Sequence, residues 1–463
     1  MRGRLSRAIP TIAFFSALLF LTFVGGVLAT VAGVYPTAYV RDAYRAGVAL
    51  YQKRTRTHER FSTDLWSKAR GDERGVVFHD PQRSEPGLTL YTSAHAPKAL
   101  LMDQAGNVVH EWSQLYSEIW DETAGPRNPV PDNQTYFRKA KALPNGDLIA
   151  VYDGVGDTPY GYGIIKLDKD SQLVWKNLDH FHHSFSVDEE GRIYGLTQAF
   201  RNHKPVTSEG YLVDHFPLPF MDDFLVVLSP DGEVLKTISL VDAVNNSDYR
   251  RLLWRVPSYS LEDPLHTNDV DVLDKELAAS LAKKIPAARE GQVLLSFREL
   301  ATGTVALLDP ETEEIVWALH GQWMSHHDPD VLPNGNLLMF DNRGHFGPGG
   351  QSRIIEVDTA TGGVVWAYAG DADKPLDSPI RAEQELLSNG NVLITEAGPG
   401  RLLEITRKGE IVWEYINPVR GGDDDELIPT VSWAQRIDPG AYFEGEFHAR
   451  VTGDSQVTKV ELQ

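Results

Sequence analysis

The sequence predicts an all-β fold, a six-bladed β-propeller behind an N-terminal transmembrane helix. Three observations predict it. A unit of four short extended runs recurs every 45–50 residues, all units but one carry a clear Gly-containing turn at a matching place, and an uncharged stretch near the N-terminus exceeds the length of a signal-peptide core. Repeats of this length with four strands apiece indicate propeller blades.

The clearest unit begins His326-His327-Asp328-Pro329-Asp330-Val331-Leu332-Pro333-Asn334-Gly335 and continues as the apolar run 336–341. Asn-Gly between two extended runs is a strong hairpin signal. A third strand follows at 352–358 and, after the turn 359–362, a fourth at 363–368 containing Trp366. The next unit repeats the pattern: 382–387, Ser388-Asn389-Gly390, 392–396, 401–406, Lys408-Gly409 and 410–415 with Trp413. Three earlier units run from 136–143 to Trp175, from His182 to 229–235, and from His266 to Trp317, the last interrupted by a helical insert at 275–284. In chain order these are blades 1 to 5. The sixth is split, with its first strand at 431–437 and the other three at 88–92, 99–103 and 108–112. Joining the two ends closes a ring and removes exposed sheet edges. Because 197–260 is irregular, seven blades is the alternative count. The fourth-strand tryptophans are packing residues in this reading, and the Asn-Gly and Asp-Gly pairs are turn chemistry.

Before the repeats, Arg2, Arg4 and Arg7 precede an uncharged run over 8–34. At 27 residues it exceeds the ~20 that span a bilayer. A retained signal-anchor over 1–35 is the first reading, and a signal cleaved near Ala29-Thr30-Val31-Ala32 is the alternative. A basic, helical juxtamembrane stalk is expected over 36–75, with a plain solvated linker as the alternative, and the propeller over 76–463. Residues 1–70 carry a net charge of +8, leaving −29 for the remainder of a chain whose total is −21. So acidic a body argues against nucleic acid as a partner. The absence of cysteine excludes disulfides, thiolate metal sites and cysteine nucleophiles.

Stepping back eight residues from each turn Gly gives Arg138, His183, His327, Ala382 and Ser432. In the third unit, which lacks a clear turn Gly, His266-Thr267-Asn268-Asp269-Val270 matches His327-Asp328-Pro329-Asp330-Val331 as His-x-x-Asp-Val. The first strand of a blade lines the central channel, so His183, His266 and His327 are expected to converge there, with His182 as a neighbouring candidate for the second blade. Asn268 lies two residues past His266, on the same face of a strand, and Arg298 ends the second strand of that blade. One buried histidine is usually structural. Three at one repeat position, with Asn and Arg beside them, suggest an anion site with a nucleophile. His326 is expected to pack or hydrogen-bond. His79, His95, His110, His203, His215, His345 and His448 show no such register and are expected on surfaces or loops.

The combination of His-Thr-Asn-Asp-Val (266–270), Ser-Phe-Arg (296–298), His-His-Asp with Leu-Pro-Asn-Gly-Asn, and Phe-Asp-Asn (340–342) resembles the bacterial arylsulfotransferase family. So does Gly-Leu-Thr-Leu-Tyr (87–91) leading to Asp-Gln-Ala-Gly-Asn-Val-Val-His-Glu-Trp (103–112). The resemblance covers roughly residues 75–440 and implies an exported six-bladed propeller, hence one on the periplasmic side of its anchor. It also implies transfer of a sulfuryl group from an aryl sulfate donor to a phenolic acceptor, without the nucleotide donor PAPS or any other cofactor. In that family's terms His327 is the residue sulfated covalently in a two-step transfer. His266, Asn268 and Arg298 hold the sulfate oxygens, and His183 acts on the phenol proton. The chain departs from some relatives in lacking a disulfide and an N-terminal β-sandwich, which leaves subunit assembly open. Two alternatives come from other classes: a histidine-ligated iron, zinc or copper enzyme, and a membrane-tethered binding or assembly propeller without catalysis.

Overall fold

The computed structural model describes residues 2–32, 34, 40, 43, 44, 47, 60–157, 159–207, 210, 212–347, 350–371 and 373–453, in two units that divide after Glu59. The first unit contains the helix Arg2–Val31. Its segment Pro10–Val31 has a mean hydropathy of 2.4 over 22 residues, long and apolar enough to cross a bilayer. Half of the expected stalk lies outside the described residues. From Arg60 onward the chain differs from a stalk: a 3₁₀ turn at Arg60–Ser62 leads to the strand Trp66–Lys68, which pairs with Leu427–Pro429. Apolar burial is the reason, since Leu65 and Trp66 pack with Ala94 and Tyr136 in a small core of their own.

The second unit is the six-bladed propeller. Blade 1 consists of Thr135–Ala142, Leu148–Gly154, Gly161–Leu167 and Leu173–Asn177, and blade 2 of Phe181–Val187, Ile193–Arg201, Phe220–Leu228 and Val234–Ser239. Blades 3 and 4 begin with Thr267–Val272 and His327–Val331, and blade 5 with Glu383–Leu386. Blade 5 gains an outer fifth strand, Gly75–His79. Blade 6 closes the ring, with Val431–Ile437 pairing antiparallel to Leu88–Ser93. Among its described residues, the irregular 197–260 region holds no seventh blade. Long second and third strands of blade 2 account for part of it, and Leu240–Asn245 and Arg250–Arg255 form helical turns after the fourth.

Strand alternation gives each blade two apolar faces, so the core is divided into one buried cluster at each of the six interfaces between neighbouring blades. The fourth-strand tryptophans add polar stitches. Indole N–H groups of Trp112, Trp175, Trp366 and Trp413 donate at 2.9–3.1 Å to turn carbonyls of Gly146, Pro230, Arg407 and Gln104, each in the next blade. A buried indole N–H needs such a partner. Trp317 instead packs against the core between blades 3 and 4.

Candidate active site

The innermost strands bring side chains to the axis, and in every blade but blade 5 the regular pairing is interrupted near the start. Bulges skip Arg138, His183-Ser184, Asn268, Asp328-Pro329 and Ser432. His183, Asp328 and Ala382 take positive φ (53°, 55° and 84°), a conformation costly for residues with a Cβ. A bulge re-aims a side chain, and here the effect is repeated around the channel.

The pairing also corrects one part of the histidine register. The turn bond from Leu332 N to Asn336 O has its counterpart in Leu273 N to Gln292 O. Counting back five residues from each gives His327 and Asn268. Asn268, not His266, therefore shares the position of His183 and His327. His266 lies just before its strand with φ 44° and reaches the same cavity from there. The helix Lys275–Ala282 inserted before the turn obscures this spacing in the sequence.

A cavity of about 280 Å³ lies at this end of the channel, and His183, His266, His327, Arg298, Arg138 and Tyr160 are among its lining residues. His327 is 3% exposed, and its Nδ1 lies 2.8 Å from Asn342 Oδ1. The Asn342 amide nitrogen donates to the carbonyls of Ser378 (2.7 Å) and Arg381 (2.5 Å), which fixes its orientation. Oδ1 must then accept a proton from Nδ1, leaving the Nε2 lone pair of His327 unused. Burial, reinforced by the charges of Arg298 and Arg138, holds the His327 pKa well below the usual histidine value, so the ring is neutral at pH 7.

Arg298 Nη1 donates to His266 Nε2 at 3.1 Å, and His266 Nδ1 meets the Asp263 carboxylate. The His183 and His266 rings lie 5.4 Å apart. Tyr160 OH is 3.3 Å from His183 Nδ1 and accepts from Gln198 Nε2 at 2.9 Å. Between the two adjacent histidines, His183 faces the cavity. His182 is fully buried behind it, Nδ1 to Nδ1 at 2.8 Å, with its pKa lowered by burial to about 3. Asn268 does not line the cavity. Its amide nitrogen donates to His326 O at 2.8 Å and so holds the backbone just ahead of His327. His326 is buried and bonded to Ser296 Oγ at 3.1 Å.

The arrangement thus offers a neutral imidazole with a free nitrogen, guanidinium groups for an anion, and a hydroxyl and second imidazole for a proton. Among the described residues, no group of three or more His, Cys, Asp or Glu side chains is arranged to hold a metal ion. Sequence reasoning passed over Tyr160, Asp263 and Arg381, which lie on connections between strands, and gave Asn342 no role. The alternating Tyr160-Gly161-Tyr162-Gly163 was the available signal. A Cβ at Gly161 would lie 2.5 Å from Phe181 O, so this segment needs glycine to approach the strand of His183.

The arylsulfotransferase (ASST) family profile matches residues 139–418. No curated protein matches the sequence. Among solved structures, the chain is similar to a protein of unknown function from Bacteroides caccae, at 13% identity over 76% of this chain and 98% of that one, with a TM-score of 0.46. It is also similar to a streptogramin B lyase, at 13% identity over 82% and 100% with a TM-score of 0.39. A virginiamycin B lyase from Staphylococcus aureus gives 9% identity over 74% and 88% with a TM-score of 0.37.

Proposed function

The chain belongs to the arylsulfotransferase family, and from that premise we propose that it moves a sulfuryl group from an aryl sulfate to a phenol through a sulfohistidine at His327. In the first step Nε2 of His327 attacks sulfur, the N–S bond forms, and the S–O(aryl) bond breaks with its electron pair leaving on the phenolic oxygen. In the second an acceptor phenol gives up its proton, its oxygen attacks the same sulfur, and the N–S bond breaks. Splitting the transfer eases each step.

The observation that carries this reading is the amide lock on His327: a neutral ring with Nε2 free in a cavity that also holds Arg298. Arg298 holds the non-bridging oxygens, where fixed donors stabilise developing charge, and His266, whose Nε2 accepts from it, orients that guanidinium. His183 and Tyr160 exchange the phenolic proton. Asn268 acts at one remove, by fixing the His326 carbonyl. The helix Arg2–Val31 anchors the propeller on the periplasmic side of a membrane.

Incubation with 4-nitrophenyl sulfate, quenching in alkali and peptide mass spectrometry test the reading. A sulfuryl adduct on His327 that disappears when phenol is added is the expected result. An adduct on another residue reassigns the nucleophile, and nitrophenol release without an adduct sinks the two-step route.

A further inference from the structure

Arg138 sits at the same register on blade 1 that His327 occupies on blade 4, and nothing so far gives it a task. Its side chain is 3% exposed and lines the cavity. The nearest carboxylate oxygen, Asp153 Oδ2, is 3.9 Å from Nε, beyond hydrogen-bond range. That oxygen also accepts from Tyr136 OH at 3.2 Å, and burial raises the Asp153 pKa to about 6, so it is an incomplete counter-ion. Arg138 Nη1 is buried with no hydrogen-bond partner among the described residues. A buried guanidinium with an unused N–H beside a cavity is costly unless a ligand completes it.

The ring order says which part of the ligand. Contacts run blade to blade in sequence order, 1 to 2 through 6 and back to 1. Blades 1 and 4 therefore face each other across the axis, whereas Arg298, on blade 3, is on the neighbour of blade 4. In an in-line transfer the leaving oxygen lies on the far side of sulfur from the attacking nitrogen. From His327 that direction is toward blade 1. Arg298 is placed for the non-bridging oxygens, and Arg138 for the oxygen opposite.

On the sulfotransferase reading above, we propose that Arg138 is a further catalytic residue, the guanidinium that binds the phenolic oxygen as it leaves the donor and as it attacks from the acceptor. When the S–O(aryl) bond breaks, its pair stays on that oxygen as phenolate charge, which Arg138 meets before a proton arrives from His183 or Tyr160. The reverse holds for the acceptor. Charge on this oxygen grows as the phenol becomes a poorer leaving group, so dependence on Arg138 grows with it.

The test is a donor series on the full chain, from 4-nitrophenyl sulfate through phenyl sulfate to 4-methoxyphenyl sulfate, with wild type, Arg138→Met and Arg138→Lys. Arg138→Met should lower kcat/KM on the order of a hundred-fold for the poorest leaving group and less than about ten-fold for 4-nitrophenyl sulfate. The plot of log kcat/KM against phenol pKa thereby steepens, with Arg138→Lys between. The lysine variant carries the same comparison if methionine disrupts folding, because it keeps a cation at the buried site. Parallel losses across the series, or an unchanged slope, overturn the assignment while leaving the sulfotransferase reading intact. A wild type that transfers from no donor overturns that reading and this one together.

Discussion

Asn342 holds His327 in the tautomer with Nε2 unprotonated through one oxygen, and replacing it gives the sharpest test of the proposed site. Asn342 is fully buried, and Asn342→Leu removes the acceptor for His327 Nδ1–H. With no acceptor on that side, nothing keeps the proton off Nε2, and the lone pair is lost in the other tautomer. An unpaired buried polar group costs about 1–3 kcal/mol. At about 1.4 kcal/mol per tenfold, the adduct-forming kcat/KM should fall roughly ten- to hundred-fold. The same substitution strands the carbonyls of Ser378 and Arg381, so a lower thermal midpoint must be measured alongside. Asn342→Asp separates the effects. It keeps an acceptor but places a carboxylate against the ring, which raises the His327 pKa and protonates Nε2 at higher pH. The acid limb of its pH profile should move up, while that of the leucine variant stays put. Stopped-flow release of nitrophenol over a pH series measures both. A folded Asn342→Leu variant within two-fold of wild type would refute the tautomer argument.

Other consequences follow from the same geometry. Because the folded pKa of His327 lies well below the ordinary value of 6.5, its ring stays neutral as pH falls, and on the proposed mechanism the wild-type acid limb of kcat/KM should lie below pH 6.5; a limb at or above it contradicts the burial argument. Trp413→Phe removes the indole donor to Gln104 O, a stitch between blades 5 and 6, and should cost about 1–3 kcal/mol, read as a lower midpoint in thermal or urea unfolding, without changing KM for the donor. The full chain should stay with membranes through alkaline carbonate extraction, as a 22-residue segment of mean hydropathy 2.4 requires, and release into the supernatant argues against an anchor.

What the sequence disclosed followed a local code. Asn334-Gly335 and Asn389-Gly390 announce their hairpins within four residues, so the blades and their number were legible, and so was the closure by 431–437. His183 and His327 could be placed at the axis because no insertion separates either from its turn. His266 was matched to them by its His-x-x-Asp-Val pattern, yet its blade carries the inserted helix before the turn, and the strand pairing puts Asn268 in that register. The residues left without a role depend on how neighbouring blades pack. Tyr160 meets His183 from the loop of a neighbouring blade, and Asn342 is held by carbonyls 36 and 39 residues away.

Arg138 shows the limit most clearly. It was visible at the register beside Ala382 and Ser432 as a residue other than histidine, and no local pattern assigned it a role. Its orphaned Nη1 and its place opposite His327 are properties of a closed six-bladed ring. A repeat that varies one position around an axis can set a nucleophile on one blade and a cation on the blade that faces it. Substitutions at the six register positions should therefore affect different stages of transfer: His327 the adduct itself, Arg138 the leaving-group dependence, and Asn268 the alignment of the His327 backbone. Ala382 and Ser432 are the contrast. Neither lines the cavity, and Ala382→Ser should leave both the adduct and the leaving-group slope unchanged. A slope that moved with Ala382→Ser as it does with Arg138→Lys would mean that the cavity responds to any change around its ring, and the division of roles between facing blades would fall.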